Sequence, residues 1–81
     1  MAGFDSIGVI GAGAWGTALA QTCRLAGRRV RLWAREAEAV AAINRAHVNT
    51  AYLPGVALDA GLVATTSLDQ IAACDFVLMV A

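Results

Sequence analysis

Gly11-Ala12-Gly13-Ala14-Trp15-Gly16 decides the reading of this chain. The hexapeptide fits G-x-G-x-x-G, a pattern that is weak when it stands alone. Its setting makes it informative. Directly before it, Ser6-Ile7-Gly8-Val9-Ile10 is a short apolar run with β-branched residues and reads as a strand. Directly after it the period becomes helical: Trp15, Ala18, Leu19, Thr22, Leu25 and Ala26 give one apolar-to-small face. Gly27 then stands where a left-handed residue ends many helices. A glycine turn that leaves a strand, opens a helix and is followed by a second strand is the dinucleotide-binding arrangement. Each glycine has a task in it. Gly11 permits the tight turn, Gly13 lets a pyrophosphate approach the backbone, and Gly16 lets the helix pack close to the strand. Unpaired N–H groups at the helix start bind the phosphates. The alternative is a glycine-rich turn with no ligand.

Working outward, Arg29-Val30-Arg31-Leu32 alternates polar and apolar, and Trp33 extends it into a second strand. Residues 36–46 read as a second helix, with Ala37, Val40 and Ile43 on one face and Glu36 and Glu38 in the first turn, where the helix dipole favours negative charge. Residues 47–61 form a loop carrying the turn signal Pro54-Gly55. Leu62-Val63-Ala64-Thr65 reads as a short strand. Ser67-Leu68-Asp69-Gln70 matches a capping box and starts a short helix. Residues 75–81 are nearly all apolar, as in a buried parallel strand. Strands alternating with helices predict an α/β fold: a Rossmann-type parallel sheet with helices on both faces. The expected strand order is 3-2-1-4. About four strands are accounted for, where a complete domain has five or six. Residues 1–81 are therefore read as one truncated N-terminal dinucleotide-binding domain.

Composition narrows the function classes. The 81 residues are 59% hydrophobic and 15% charged, with a formal net charge of zero. A disordered chain shows the opposite balance. Nucleic-acid and anionic-membrane surfaces need a basic excess that is missing here. No apolar run approaches the roughly 20 residues of a membrane span. The first five residues lack the basic start and long apolar core of a signal peptide, so the expected location is the cytoplasm. Cys23 and Cys74 fit no CxxC pattern and read as free thiols in a reducing compartment. Neither they nor His47 have metal-ligand spacing. All six basic residues are arginines, and there is no lysine.

The end of the second strand selects the cofactor. A site for NAD usually has Asp or Glu there, on the ribose hydroxyls. This chain has Trp33-Ala34-Arg35-Glu36. The Arg35 guanidinium can pair with a 2′-phosphate, which favours NADPH or dual use. Arg35 as an ordinary solvated residue at a helix start is the alternative. Trp15 also has two readings. A large aromatic on an apolar helix face is usually core, yet its backbone N–H lies within the phosphate turn.

Three segments resemble the NAD(P)-dependent glycerol-3-phosphate dehydrogenase family. Gly11-Ala12-Gly13-Ala14-Trp15-Gly16-Thr17-Ala18-Leu19-Ala20 is similar to its opening motif. Leu32-Trp33-Ala34-Arg35 resembles its second strand and cofactor-selecting turn, and Asn49-Thr50-Ala51-Tyr52-Leu53-Pro54-Gly55 its Asn-x-x-Tyr-Leu-Pro segment. The spacing fits as well, and the resemblance spans nearly the whole chain. It implies reversible reduction of dihydroxyacetone phosphate to sn-glycerol 3-phosphate with NAD(P)H, feeding phospholipid synthesis, by a full-length form expected to be a homodimer. The implied cofactor contacts are Ala14, Trp15, Arg35 and Tyr52, beside Gly11, Gly13 and Gly16. Ala14 departs from the serine often found in the family, which removes a hydroxyl and leaves the backbone N–H. The family's catalytic lysine and its substrate-phosphate site, in a later helical domain, have no counterpart in these residues, so no catalytic residue is assigned.

Two other readings remain open at this level. One is a relative sharing the dinucleotide domain, such as a ketopantoate reductase or a 6-phosphogluconate-type dehydrogenase; the Tyr52-Leu53-Pro54 segment argues against it. The other is a stand-alone, non-enzymatic nucleotide-binding module, against which the open-ended final strand speaks.

Overall fold

The computed structural model describes residues 6–11, 13–49 and 55–80. Strand β1 (Ser6–Ile10) leads through the glycine turn into helix α1 (Ala14–Leu25). Strand β2 (Arg29–Trp33), helix α2 (Ala37–Ala46), strand β3 (Val63–Thr65), helix α3 (Leu68–Ala72) and strand β4 (Phe76–Met79) follow. All strand pairs are parallel and the order is β3-β2-β1-β4, as expected. In register, Val9 lies beside Leu32 and Leu32 beside Ala64. Paired residues share a face, so these three project together. They join Ala20 of α1 and Ile43 of α2 in the main core, with Val30, Leu58 and Leu62. Gly8 belongs to the opposite face, against Ile71 of α3. Helices thus cover both faces of the sheet.

Local signals end α1 where expected. Gly27 has φ +88°, and its N–H donates to the Arg24 carbonyl at 3.0 Å while that of Arg28 donates to Cys23 at 3.2 Å. Those paired bonds satisfy carbonyls that the helix end would leave bare. Helix α2 closes on His47, itself left-handed at φ 57°.

The side of α1 that meets the sheet differs from the predicted one. Trp15 is 81% exposed, Leu25 69% and Leu19 37%. The buried residues are Gly16, Thr17 and Ala20. The glycine turn starts the helix so close to the strands that only small side chains fit between, and the large ones turn outward. The core reading of Trp15 is thereby corrected. Three smaller corrections follow. Ser67 precedes α3 but makes no side-chain cap; its N–H instead donates to the Thr65 hydroxyl oxygen at 3.0 Å. On α2, only Ile43 is fully buried, with Val40 partly packed and Ala37 exposed. Strand β4 is shorter than predicted and not enclosed, with Phe76, Val77 and Met79 all exposed.

Candidate dinucleotide-binding site

The glycine turn sits where the strand order reverses, between β1 and β4. Ligands of open α/β sheets bind beyond the carboxyl ends of strands at such a point. Gly11 has φ +118°, and a Cβ added there would lie 2.6 Å from the Val80 carbonyl oxygen. Its N–H donates to the Trp33 carbonyl at 3.3 Å, so the turn is tied to the end of β2. On the other side the Val80 N–H donates to Ile10 at 3.0 Å. A Cβ on Gly16 would run into the carbonyl oxygen of Gly11. That contact forces helix and turn together and excludes any side chain. Gly13 differs: its φ of −68° suits any residue, and a Cβ there would meet nothing within 4 Å. The packing of the chain therefore does not explain a glycine at position 13.

Electrostatics agree with the geometry. Gly13 is the N-cap of α1 and offers no side-chain cap. The Thr17 N–H closes the first turn on the Gly13 carbonyl at 2.9 Å. The N–H groups of Ala14, Trp15 and Gly16 have no carbonyl one turn back within the helix. No acidic residue stands in this first turn, whereas α2 carries Glu38 and α3 carries Asp69 there. Among the helices of the described residues, α1 alone thus has a positive dipole end with no carboxylate in its first turn.

The other sequence candidates separate. Ala34 is buried and its N–H donates to the Thr65 carbonyl at 3.0 Å, which fixes the exit from β2. Arg35, the next residue, has 83% of its side chain exposed and lies 3.8 Å from the Glu36 carboxylate. A solvated pair at that distance restrains it weakly. Trp15 stands out from the start of α1. Ala12 and Tyr52 lie outside the described residues. A cavity of about 490 Å³ opens at the opposite, amino end of the sheet, lined by Ser6, Arg24, Arg29 and Arg31 among others. It shares no residue with the glycine turn.

Sequence reasoning passed over a row of polar residues on α1. Thr17, Gln21 and Arg24 recur at helical spacing. Asn49 Nδ2 donates to Thr17 Oγ1 at 2.8 Å, with both residues buried. The Asp59 N–H donates to Gln21 Oε1 at 2.7 Å, and Arg24 Nε donates to Asp59 Oδ1 at 2.9 Å. The excursion between α2 and β3 is thus fastened along α1. The i, i+4, i+7 polar spacing was the available signal, but polar residues on a helix normally read as its solvent face.

The sequence profile described as NAD-dependent glycerol-3-phosphate dehydrogenase N-terminus matches residues 6–81. A glycerol-3-phosphate dehydrogenase [NAD(P)+] from Maricaulis maris is 58% identical over the whole chain, and one from Rhodospirillum rubrum is 65% identical over 82% of it. The chain spans 24% of the first and 19% of the second. Among solved structures, glycerol-3-phosphate dehydrogenase from Coxiella burnetii superposes with a TM-score of 0.83 at 34% identity, over 94% of this chain and 24% of that one. The Plasmodium falciparum enzyme gives 0.83 at 32%, over 96% and 25%. With the glycine turn, the strand order and the profile in agreement, this chain belongs to the NAD-dependent glycerol-3-phosphate dehydrogenase N-terminal family.

Proposed function

We propose that the chain holds the pyrophosphate of a nicotinamide dinucleotide on the amino end of α1, through the backbone of Gly13, Ala14, Trp15 and Gly16. The observation that carries this reading is the contrast between Gly16, where a Cβ has no room, and Gly13, where the packing leaves room for one. Gly11 shapes the turn. Arg35, solvated at the end of β2, meets the 2′-phosphate of NADPH and favours that cofactor over NADH. Tyr52 completes the cofactor contacts.

The bound nicotinamide supplies hydride chemistry; these residues supply binding and orientation. In a longer protein of this family the reaction is reduction of dihydroxyacetone phosphate to sn-glycerol 3-phosphate in the cytoplasm, by a homodimer serving phospholipid synthesis. The family resemblance assigns the acid for that reaction to a lysine, and none of these 81 residues is lysine. The 81-residue chain is therefore expected to bind cofactor without turning substrate over.

Gly13→Ala tests the reading. The fold should tolerate the methyl, at no more than about 1 kcal/mol for a poorer N-cap, or roughly 4–8 °C in Tm. The pyrophosphate should not tolerate it, and the Kd for NADPH should rise at least about tenfold, or ~1.4 kcal/mol. Titration by cofactor fluorescence beside a thermal melt separates the two effects. Unchanged affinity in a folded variant rules the site out.

A further inference from the structure

We propose that Asn49 is a positioning residue for the dinucleotide site, acting through its buried hydrogen bond to Thr17; the inference rests on the reading of the glycine turn given above. Three anchors fasten the excursion to α1. Two of them, Gln21 and Arg24, bond to Asp59 on its returning limb. The third, Thr17, bonds to Asn49 on the outgoing limb. Thr17 lies about 10 Å nearer the amino end of the helix than Arg24, at 1.5 Å per residue. Its own N–H closes the first turn on Gly13.

Thr17 and Asn49 are 0% and 1% exposed. Burying two polar side chains is unfavourable unless they bond each other well. At 2.8 Å they do. The polar pair therefore adds direction to what packing alone would give. The Asn49 carboxamide holds the Thr17 hydroxyl in one orientation and ties the excursion to the turn that presents N–H groups to the phosphates. Loosening this joint should blur the convergence of those N–H groups. Loosening the anchors further along α1 should not.

The test compares Thr17→Val, Thr17→Ser, Gln21→Ala and the double variant Thr17→Val/Asn49→Leu in the 81-residue chain. Kd values for NADH and NADPH are measured well below every Tm. Thr17→Val should raise both Kd values alike, by roughly three- to tenfold, the range a neutral hydrogen bond spans. Equal loss for the two cofactors separates this effect from one at the 2′-phosphate. Thr17→Ser keeps the hydroxyl and should restore affinity. Gln21→Ala should lower Tm and leave both Kd values in place. The double variant, which removes the bond from both ends, should keep both Kd values raised; it carries the comparison should Thr17→Val fail to fold. Recovery of both by the double variant overturns the proposal, as does an equal effect of Gln21→Ala and Thr17→Val on Kd. If the unaltered chain binds neither cofactor, the dinucleotide reading falls and takes this one with it. Tight binding by the unaltered chain with unchanged Kd in Thr17→Val removes only the role of Asn49.

Discussion

Arg35 carries the proposed preference for NADPH. It follows buried Ala34, so its backbone is fixed while its guanidinium is left in solvent. A charge-assisted hydrogen bond to a 2′-phosphate is worth roughly 1.5–3 kcal/mol. That corresponds to about a 10- to 150-fold preference for NADPH. Arg35→Asp removes the cation, adds repulsion against the phosphate and offers a carboxylate to the free ribose hydroxyls of NADH. NADPH affinity should fall by about tenfold or more, while NADH affinity holds or improves. Paired titrations at low and high salt check this, because an exposed charge contact weakens as salt rises. If both cofactors weaken together, or neither changes, Arg35 is an ordinary surface residue. Arg35 stands two residues past the end of β2, a local position legible in the sequence. Nothing local assigned Trp15 its face, which depended on how closely α1 approaches β1.

Among the elements, α1 joins the site to the rest of the fold. Its amino end is the proposed phosphate site, its inner face of Gly16, Thr17 and Ala20 packs, and its polar row holds the excursion. Asp59 is the anchor that responds to pH. The Gly61 N–H, bonded to its carboxylate at 2.7 Å, and then the Arg24 guanidinium hold its pKa below the ordinary 3.8. A carboxyl depressed in the folded state binds protons more readily when unfolded. Its stabilising contribution is complete above 3.8 and is lost as pH falls through the lower folded value. The Tm advantage of the native chain over Asp59→Asn should therefore be constant near neutrality and shrink below pH 3.8. Melting curves of both proteins down the acid limb check it; a gap that widens with acid contradicts the assignment. The elements themselves were legible because apolar period and glycine position are short-range features. The α1–excursion bonds were not, because Asn49 and Asp59 lie 32 and 38 residues from Thr17 and Gln21.

At the scale of the molecule, the sheet has two unlike edges. On β3 the Asn44 side chain donates to the Ala64 carbonyl at 3.0 Å and accepts from its N–H at 2.7 Å. The amide occupies the outward backbone groups as a neighbouring strand would. Among the described residues β4 pairs with β1 alone, and it presents Phe76, Val77, Leu78 and Met79, without a charge or proline. Apolar, unprotected edges pair with other chains. The 81 residues on their own are expected to self-associate through β4. With the β3 edge capped, growth should stop at small species. Asn44→Ala should cost about 1 kcal/mol and extend association to larger assemblies. Sedimentation of both proteins distinguishes them; a monodisperse monomer of the unaltered chain at its highest soluble concentration refutes the edge assignment.

The sequence by itself determined the alternation of strands and helices, the strand order, the glycine turn and the residue at the end of β2. Each depends on backbone sterics and hydropathy within a few residues, together with the right-handed connection that parallel strands require. Tertiary structure alone decided which stripe of α1 is buried, that Thr17 meets Asn49, and that Asn44 closes one edge while β4 stays open. Those outcomes depend on distances between segments far apart in the chain. Small and polar residues carry little hydropathy signal, so their partners become visible only when the packed elements bring them within hydrogen-bond reach.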